Sequence, residues 1–80
     1  MEHFTNFIDF IAKNLVDTPD SVVVEAKLPE DNKVVVTLKV GAEDVGKVIG
    51  KQGKTAQAMR TLLTAIAAKE GKKSILEILD

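Results

Sequence analysis

Apolar residues near the beginning of the chain repeat with the spacing of an α-helix. They fall at i, i+3, i+4, i+7, i+8, i+11 and i+12 and form one stripe: Phe4, Phe7, Ile8, Ile11, Ala12, Leu15 and Val16. Pro19 disfavours helical geometry in the residue before it, so we expect the helix to end within residues 17–20. The pattern predicts an amphipathic helix whose aromatic stripe belongs to the core rather than to a base-stacking surface.

Two segments that follow alternate apolar and polar side chains with the period of a β-strand. They are residues 22–28 and 33–40, and both are rich in β-branched residues. The side chains expected to face inward are Val22, Val24, Ala26 and Leu28 in the first segment, and Val34, Val36, Leu38 and Val40 in the second. Residues 29–32 (P-E-D-N) are turn formers. The pattern therefore predicts an antiparallel hairpin with one buried face.

After Gly41 the apolar spacing becomes helical again. Glu43 and Asp44 lie in the first turn of the expected helix, where carboxylates complement the positive end of the helix dipole. Its short apolar face consists of Val45, Val48 and Ile49. Gly50 is expected to end this helix.

A second helix is expected from just after Gly53 to about Glu70, with Gly71 as its terminating residue. Its apolar side contains Ala56, Met59, Leu63, Ile66 and Ala67. Residues 74–79 then form a strand in which Leu76 and Ile78 face inward, because Glu77 must face water. The order αββααβ predicts an α+β fold, a three-stranded sheet covered on one face by three helices.

Composition indicates one small globular domain spanning residues 1–80. Hydrophobic residues make up 45% of the chain and charged residues 29%. The chain has no Cys, which excludes a disulfide framework and a thiol nucleophile. No apolar run is long enough for a transmembrane helix, and the first residues lack the basic segment of a signal peptide. A cytoplasmic location is therefore expected.

Few residues could carry catalysis. The chain has one His, at position 3, and no pair of carboxylates set among apolar residues at the spacing of an active site. We therefore expect a protein that is not an enzyme and that needs neither a cofactor nor a metal.

The formal net charge of −1 hides a strong asymmetry. Residues 1–44 contain four Lys and nine acids, whereas residues 45–80 contain seven basic residues and three acids. No acid occurs between Asp44 and Glu70, although that stretch contains Lys47, Lys51, Lys54, Arg60 and Lys69. A basic stretch confined to one part of a neutral chain indicates a local anion-binding surface.

The most informative segment joins the two later helices, at residues 50–53 (G-K-Q-G). Two Gly three positions apart allow a sharp turn, and the helix that follows presents unpaired N–H groups that suit an anion. Lys51 and Lys54 flank this helix start against the usual dipole preference, a mismatch of about 0.3–1 kcal/mol each when no anion is bound. The loop is therefore expected to hold phosphate.

Two familiar nucleotide motifs do not fit this loop, but a third does. The Walker A motif and the dinucleotide fingerprint both need Gly where the chain has Val48. Residues 48–55 (V-I-G-K-Q-G-K-T) instead resemble the core of the K-homology (KH) domain, whose G-x-x-G loop clamps four nucleotides of single-stranded backbone. With residues 44–50 (D-V-G-K-V-I-G) and the element order, essentially the whole chain resembles the type II fold of small stand-alone bacterial KH proteins of the KhpA type.

This resemblance implies a single-stranded RNA-binding protein that acts as an RNA chaperone or post-transcriptional regulator. Gly50 and Gly53 would shape the loop. The implied RNA contacts are Lys51, Gln52 and Lys54 at the phosphates and Val48 and Ile49 on the groove floor. Lys47 is also expected to contact RNA, with Arg60 as an additional backbone contact. Thr55 would either bond a phosphate or cap the helix. The resemblance also implies pairing with a second copy or with a larger Jag-type KH protein.

Two other classes of function remain as alternatives. Residues 43–70 could form a helix-turn-helix that binds double-stranded DNA, although Ala56 and Ala58 leave its second helix few base-reading side chains. The chain could also be an interaction module, because the last helix is apolar on more than one side. The extra apolar residues are Ala58, Leu62 and Ala65 on that helix, and Ile75 and Leu79 beside Glu77 on the last strand.

Overall fold

The computed structural model describes the backbone of residues 2–80 and the side chains from Phe4 onward. The side chain of His3, the one histidine considered for catalysis, therefore lies outside the described residues. The elements are α1 (Glu2–Leu15), β1 (Val23–Glu30), β2 (Lys33–Lys39), α2 (Val45–Ile49), α3 (Lys54–Lys69) and β3 (Lys73–Leu79). Short 3₁₀ turns at Pro19–Ser21, Ala42–Asp44 and Lys51–Gly53 connect them. The expected order αββααβ is confirmed.

The three strands form one mixed sheet in the order β1-β2-β3. β1 and β2 pair antiparallel, as the alternating pattern predicts, and β2 and β3 pair parallel. Two parallel neighbours need a crossover connection, and α2 with α3 supplies it. This crossover places the loop of residues 50–53 between two helices.

One face of the sheet carries the core and the other is open to solvent. The inward residues of β2 and β3 are buried together with residues of α1 and α3: Phe4, Ile8, Ala12, Val34, Val36, Leu38, Met59, Leu63, Ala67 and Leu76. Val35, Ile75 and the other alternate residues of these strands lie on the open face. The expected α+β architecture, with helices on one face of a three-stranded sheet, is confirmed.

The hairpin departs from the expectation at its turn. β1 continues through Pro29 to Glu30, and the register shifts between Lys27 and Glu30. Pro29 has no N–H to donate, so it is tolerated at such an irregularity on an edge strand. The shift also ends the alternation, and Leu28, expected to face the core, is 46% exposed.

The two long helices end close to their expected positions. Leu15, the last residue of α1, is 37% exposed, whereas Val16 just beyond it packs against the core. α3 ends at Lys69, and Gly71 adopts a φ of +70° just beyond it. The N–H of Lys72 donates to the carbonyl of Ala67 at 2.9 Å, which is typical of a glycine-terminated helix.

Candidate nucleic-acid interface

The loop between α2 and α3 is a tight turn with several left-handed backbone angles. Gly50 has φ +79° and ψ 175°, a region that is essentially restricted to glycine. Gln52 follows with φ +58°, the one positive φ of a non-glycine residue in the described part of the chain, and Gly53 has φ +74°. The Gly53 N–H donates to the Gly50 carbonyl at 3.1 Å and closes the turn.

Gly50 also sits too close to α3 to carry a side chain. A Cβ at this position would lie 2.2 Å from Thr55 Oγ1, 2.6 Å from Thr55 Cβ and 2.9 Å from the Thr55 backbone nitrogen. A Cβ at Gly53 would meet nothing within 4 Å. The first glycine is therefore required for close packing and for its dihedral angles, and the second for its dihedral angles alone.

The loop and the first turn of α3 expose donors and cations. Lys51, Gln52 and Lys54 are exposed. The residue that precedes α3 is Gly53, which has no side chain to cap the helix, and the first turn of α3 contains no acid. The helix start therefore offers N–H groups and positive charge to an external anion.

Lys47, expected to contact RNA, lies beside two acids of its own chain. Its ammonium donates to Asp17 Oδ2 and lies 3.7 Å from Asp44 Oδ1. The hydrogen bond that Lys47 donates to Asp17, together with the charges of Asp17 and Asp44, raises the pKa of Lys47 above its ordinary value. Among residues 4–80, in contrast, Lys51, Lys54 and Arg60 form no ion pair within 4.0 Å.

Asp44 has a tertiary partner rather than the helix-dipole role expected for it. It is 3% exposed, and its two carboxylate oxygens accept the backbone N–H groups of Asp17 at 3.3 Å and Thr18 at 3.1 Å. It makes no side-chain capping bond to α2. The carboxylate therefore ties the beginning of α2 to the segment after α1.

The two residues expected on the groove floor have different environments. Val48 is fully buried, so it supports the loop from inside the core. Ile49 is 38% exposed and is the one of the two that offers apolar surface. Thr55 is half-buried beneath Gly50.

A shallow groove runs between α3 and β3. It has a volume of about 270 Å³ and is lined by Arg60, Leu63, Thr64, Ser74, Ile75 and Leu76. Arg60 lies six residues beyond Lys54, or about 9 Å along the helix axis. The structure thus brings residues 49–55 together in one turn and places Arg60 in a groove on the same helix.

The described residues contain neither a membrane-spanning helix nor a cluster of metal-binding side chains. No helix of residues 2–80 is both long and apolar enough to cross a membrane. Within that same part of the chain, no three His, Cys, Asp or Glu side chains cluster closely enough to hold a metal ion.

Comparison with known proteins places this chain in a family. The family described as KhpA/KhpB, KH domain, matches residues 5–78. The chain belongs to this family. This confirms the resemblance inferred from the V-I-G-K-Q-G-K-T segment.

Several members of the KhpA/KhpB family are close in sequence over nearly their whole length. The chain is 54% identical over 69 residues to RNA-binding protein KhpA of Caldanaerobacter subterraneus, covering 86% of this chain and 91% of the relative. It is 50% identical over 72 residues to the KhpA of Clostridium perfringens (90% and 95% covered), and 45% identical over 80 residues to that of Aquifex aeolicus (100% of both). No solved structure matches the chain significantly. The expectation that the chain is not an enzyme agrees with a family whose members are named as RNA-binding proteins.

Two features of this KH-family site were not predicted from the sequence: the cluster of Asp17, Asp44 and Lys47, and the β3 side of the groove. The Asp44–Lys47 spacing of three residues is a local signal that could have paired them. Asp17 lies 30 residues from Lys47, and no local pattern connects them. Local patterns likewise could not predict that Ser74 and Ile75 of β3 line the groove, because their position depends on the parallel pairing of β3 with β2.

Proposed function

We propose that this chain binds single-stranded RNA and captures the sugar-phosphate backbone at the loop of residues 50–53. Gly50 and Gly53 set the turn, and Lys51, Gln52 and Lys54 bond to phosphates together with the first N–H groups of α3. Thr55 supports the turn through its contact with Gly50 and can bond the same phosphates. The observation that carries this proposal is an uncapped helix start flanked by Lys51 and Lys54, which form no ion pair with any described side chain.

Bases are proposed to lie beyond the loop along the groove between α3 and β3. Ile75 and Arg60 line this groove, and Ile49, directly before the loop, offers exposed aliphatic surface. Val48 is fully buried and supports the end of α2 from within the core. Lys47 would join the RNA contacts only if a phosphate displaced Asp17 from its ammonium.

Double-stranded DNA is the weaker candidate. α2 has five residues, too few for the first helix of a helix-turn-helix to span a DNA backbone. The first turns of α3 expose Gln57 and Ala58, and Ala56 is buried. A duplex of the same sequence, used as competitor, should displace a single-stranded RNA probe poorly, whereas efficient displacement would favour the DNA alternative.

RNA affinity measured against salt concentration tests the phosphate clamp. For single strands the slope of log K against log salt is about −0.7 per neutralised phosphate, so two to four phosphates give roughly −1.4 to −2.8. The probe is an unstructured oligouridylate. A slope near zero would refute the clamp.

A charge-reversing variant locates the binding site. Lys51→Asp with Gln52→Asp retains both glycines and puts two carboxylates where phosphate should lie, so the fold should persist while RNA binding is lost. The matched control is Lys13→Asp with Asn14→Asp, which makes the same change in net charge on exposed positions of α1. Equal losses in both variants would mean that general charge, and not this loop, accounts for binding.

We also propose that the outer side of α3 pairs with a second copy of the chain or with a larger KH protein of the Jag type. Leu62 is 50% exposed there, beside exposed Ala58 and Ala65. Two linked clamps bind one RNA more tightly than either alone, through effective concentration. Leu62→Arg should reduce the mass measured by light scattering to that of a monomer; a wild-type chain that is already monomeric at high micromolar concentration would contradict this.

The cellular role that follows from such a clamp is that of an RNA chaperone or post-transcriptional regulator. A contact made mainly with the backbone accepts many sequences, which suits both roles. The proposed location is the cytoplasm, where bacterial RNA is made and translated.

A further inference from the structure

α2 is too short to be stable or to keep a fixed orientation without contacts to the rest of the molecule. It contains five residues, and an isolated helix of that length is unstable in water. The loop of residues 50–53 begins directly at its C-terminal end. The position of the loop therefore depends on what anchors α2 to the rest of the molecule.

Contacts with three parts of the molecule anchor α2: the core, the beginning of α3 and the segment after α1. Val48 is fully buried in the core, and Gly50 packs against Thr55 at the beginning of α3. The third contact includes Asp44, immediately before α2, whose carboxylate accepts two backbone N–H groups from the segment after α1. The first two contacts involve the core and α3, so the link to the segment after α1 consists of the Asp44 carboxylate and the ion pair of Lys47 with Asp17.

A buried carboxylate is costly unless its charge is compensated. Asp44 has the two N–H donors and the Lys47 ammonium at 3.7 Å. Lys47 in turn bonds Asp17, whose own N–H is one of those donors. Asp17, Asp44 and Lys47 thus form one connected cluster, which we call the α2 anchor.

We propose that Asp44 and Lys47 are positioning residues: the α2 anchor holds the 50–53 loop in the geometry that binds RNA, and Lys47 keeps its ion pair when RNA is bound. This inference rests on the proposed function. Transfer of Lys47 to a phosphate would replace one charge-assisted hydrogen bond by another and would weaken the compensation of Asp44. Exchanging Asp17 for a phosphate as the partner of Lys47 would therefore add little to the free energy of RNA binding.

Two single variants separate positioning from direct phosphate contact. Lys47→Met is compared with Lys13→Met, because Lys13 forms a 3.0 Å ion pair with Asp9 inside α1. Asp17→Asn is compared with Asp9→Asn, which makes the same change in charge. The probe is the oligouridylate, and the measurements are its affinity, the salt slope, and the NMR amide signals of residues 51–55 in the RNA-free protein.

If the α2 anchor positions the loop, Lys47→Met weakens RNA binding on the order of fivefold or more relative to Lys13→Met, without lowering the salt slope. Lys47→Arg, which retains the charge, restores binding. Asp17→Asn shifts the loop amides although it lies far from them in sequence, and it binds RNA more weakly than Asp9→Asn.

If Lys47 is a phosphate ligand, the results reverse. Lys47→Met then lowers the salt slope by about 0.7, and Asp17→Asn binds more tightly than Asp9→Asn because it frees the ammonium. Either result overturns the inference, as does an Asp17→Asn protein whose loop amides stay in place. Failure of the wild-type chain to bind RNA refutes the proposed function instead, and the amide shifts in RNA-free Asp17→Asn still test the anchor.

Discussion

Replacing Gly50 by Ala should be the most damaging single-methyl substitution among the glycines of the α2–α3 region. Two separate costs arise. The backbone at φ +79° and ψ 175° lies in a region that side chains avoid, at about 1–3 kcal/mol. The new Cβ would also overlap Thr55, and although the hydroxyl at 2.2 Å can rotate away, the Cβ at 2.6 Å and the backbone nitrogen at 2.9 Å cannot.

Overlap of this kind costs about 1–3 kcal/mol more, so the sum is about 2–6 kcal/mol. A domain of 80 residues has a total stability of about 4–12 kcal/mol. In Gly53→Ala the new Cβ would contact no other atom, so the only cost is the backbone strain of an Ala at φ +74°, about 1–2 kcal/mol of stability. Gly46→Ala lies inside α2 in open space and should stabilise by about 0.5–1 kcal/mol.

Thermal unfolding followed by circular dichroism tests this order. Each kcal/mol corresponds to about 4–8 °C in a domain of this size, so the variants are easily separated. Gly50→Ala should have the lowest unfolding temperature, followed by Gly53→Ala and then the wild type, and Gly46→Ala should have the highest. If Gly50→Ala unfolds at or above Gly53→Ala, the close contact with Thr55 does not constrain the loop and the argument is wrong.

Two further predictions concern the core and the α2 anchor. Leu63→Ala should cost about 2–5 kcal/mol, because Leu63 is fully buried. Leu62→Ala on the next residue should change the stability of the monomer by about 0.5 kcal/mol or less, so both variants are unfolded at a protein concentration low enough to prevent pairing. Similar denaturant midpoints for the two would contradict the packing of α3. The raised pKa of Lys47 means that its ion pairs stabilise the fold fully below its ordinary value of 10.5 and lose that effect as pH rises through the higher folded value. The difference in unfolding free energy between wild type and Lys47→Met should therefore be constant near neutral pH, and a decrease already between pH 7 and 9 would contradict it.

The parts of the fold that the sequence predicts well are those governed by local periodicity. The buried stripe of α3 and the buried residues of β2 follow from the helical and strand periods, because each element covers or forms one face of a single sheet. The G-K-Q-G turn is likewise local, because Gly50 and Gly53 are the residue type that tolerates the positive φ of a tight turn. Gln52, which shares this conformation, gives no comparable signal.

The parts that local patterns could not predict depend on residues distant in sequence. The exposure of Leu28 follows from a register shift at Pro29, which depends on how β1 pairs with β2. Asp44 was expected to serve the helix dipole because its own neighbours suggest that role. Its buried position follows from the N–H groups of Asp17 and Thr18, which only the folded chain brings to it.

The number of cations available to bind phosphate depends on the fold and cannot be counted from the sequence alone. The acid-free stretch between Asp44 and Glu70 contains five cations, and charge counting treats them alike. In the fold Lys47 is paired, whereas Lys51, Lys54 and Arg60 form no ion pair among the described residues and lie along the loop and groove. Three such cations can neutralise about three phosphates, which corresponds to a salt slope of roughly −2.1. A slope of roughly −2.8 or steeper would need a fourth cation, and Lys47, the nearest to the loop, would then have to leave Asp17.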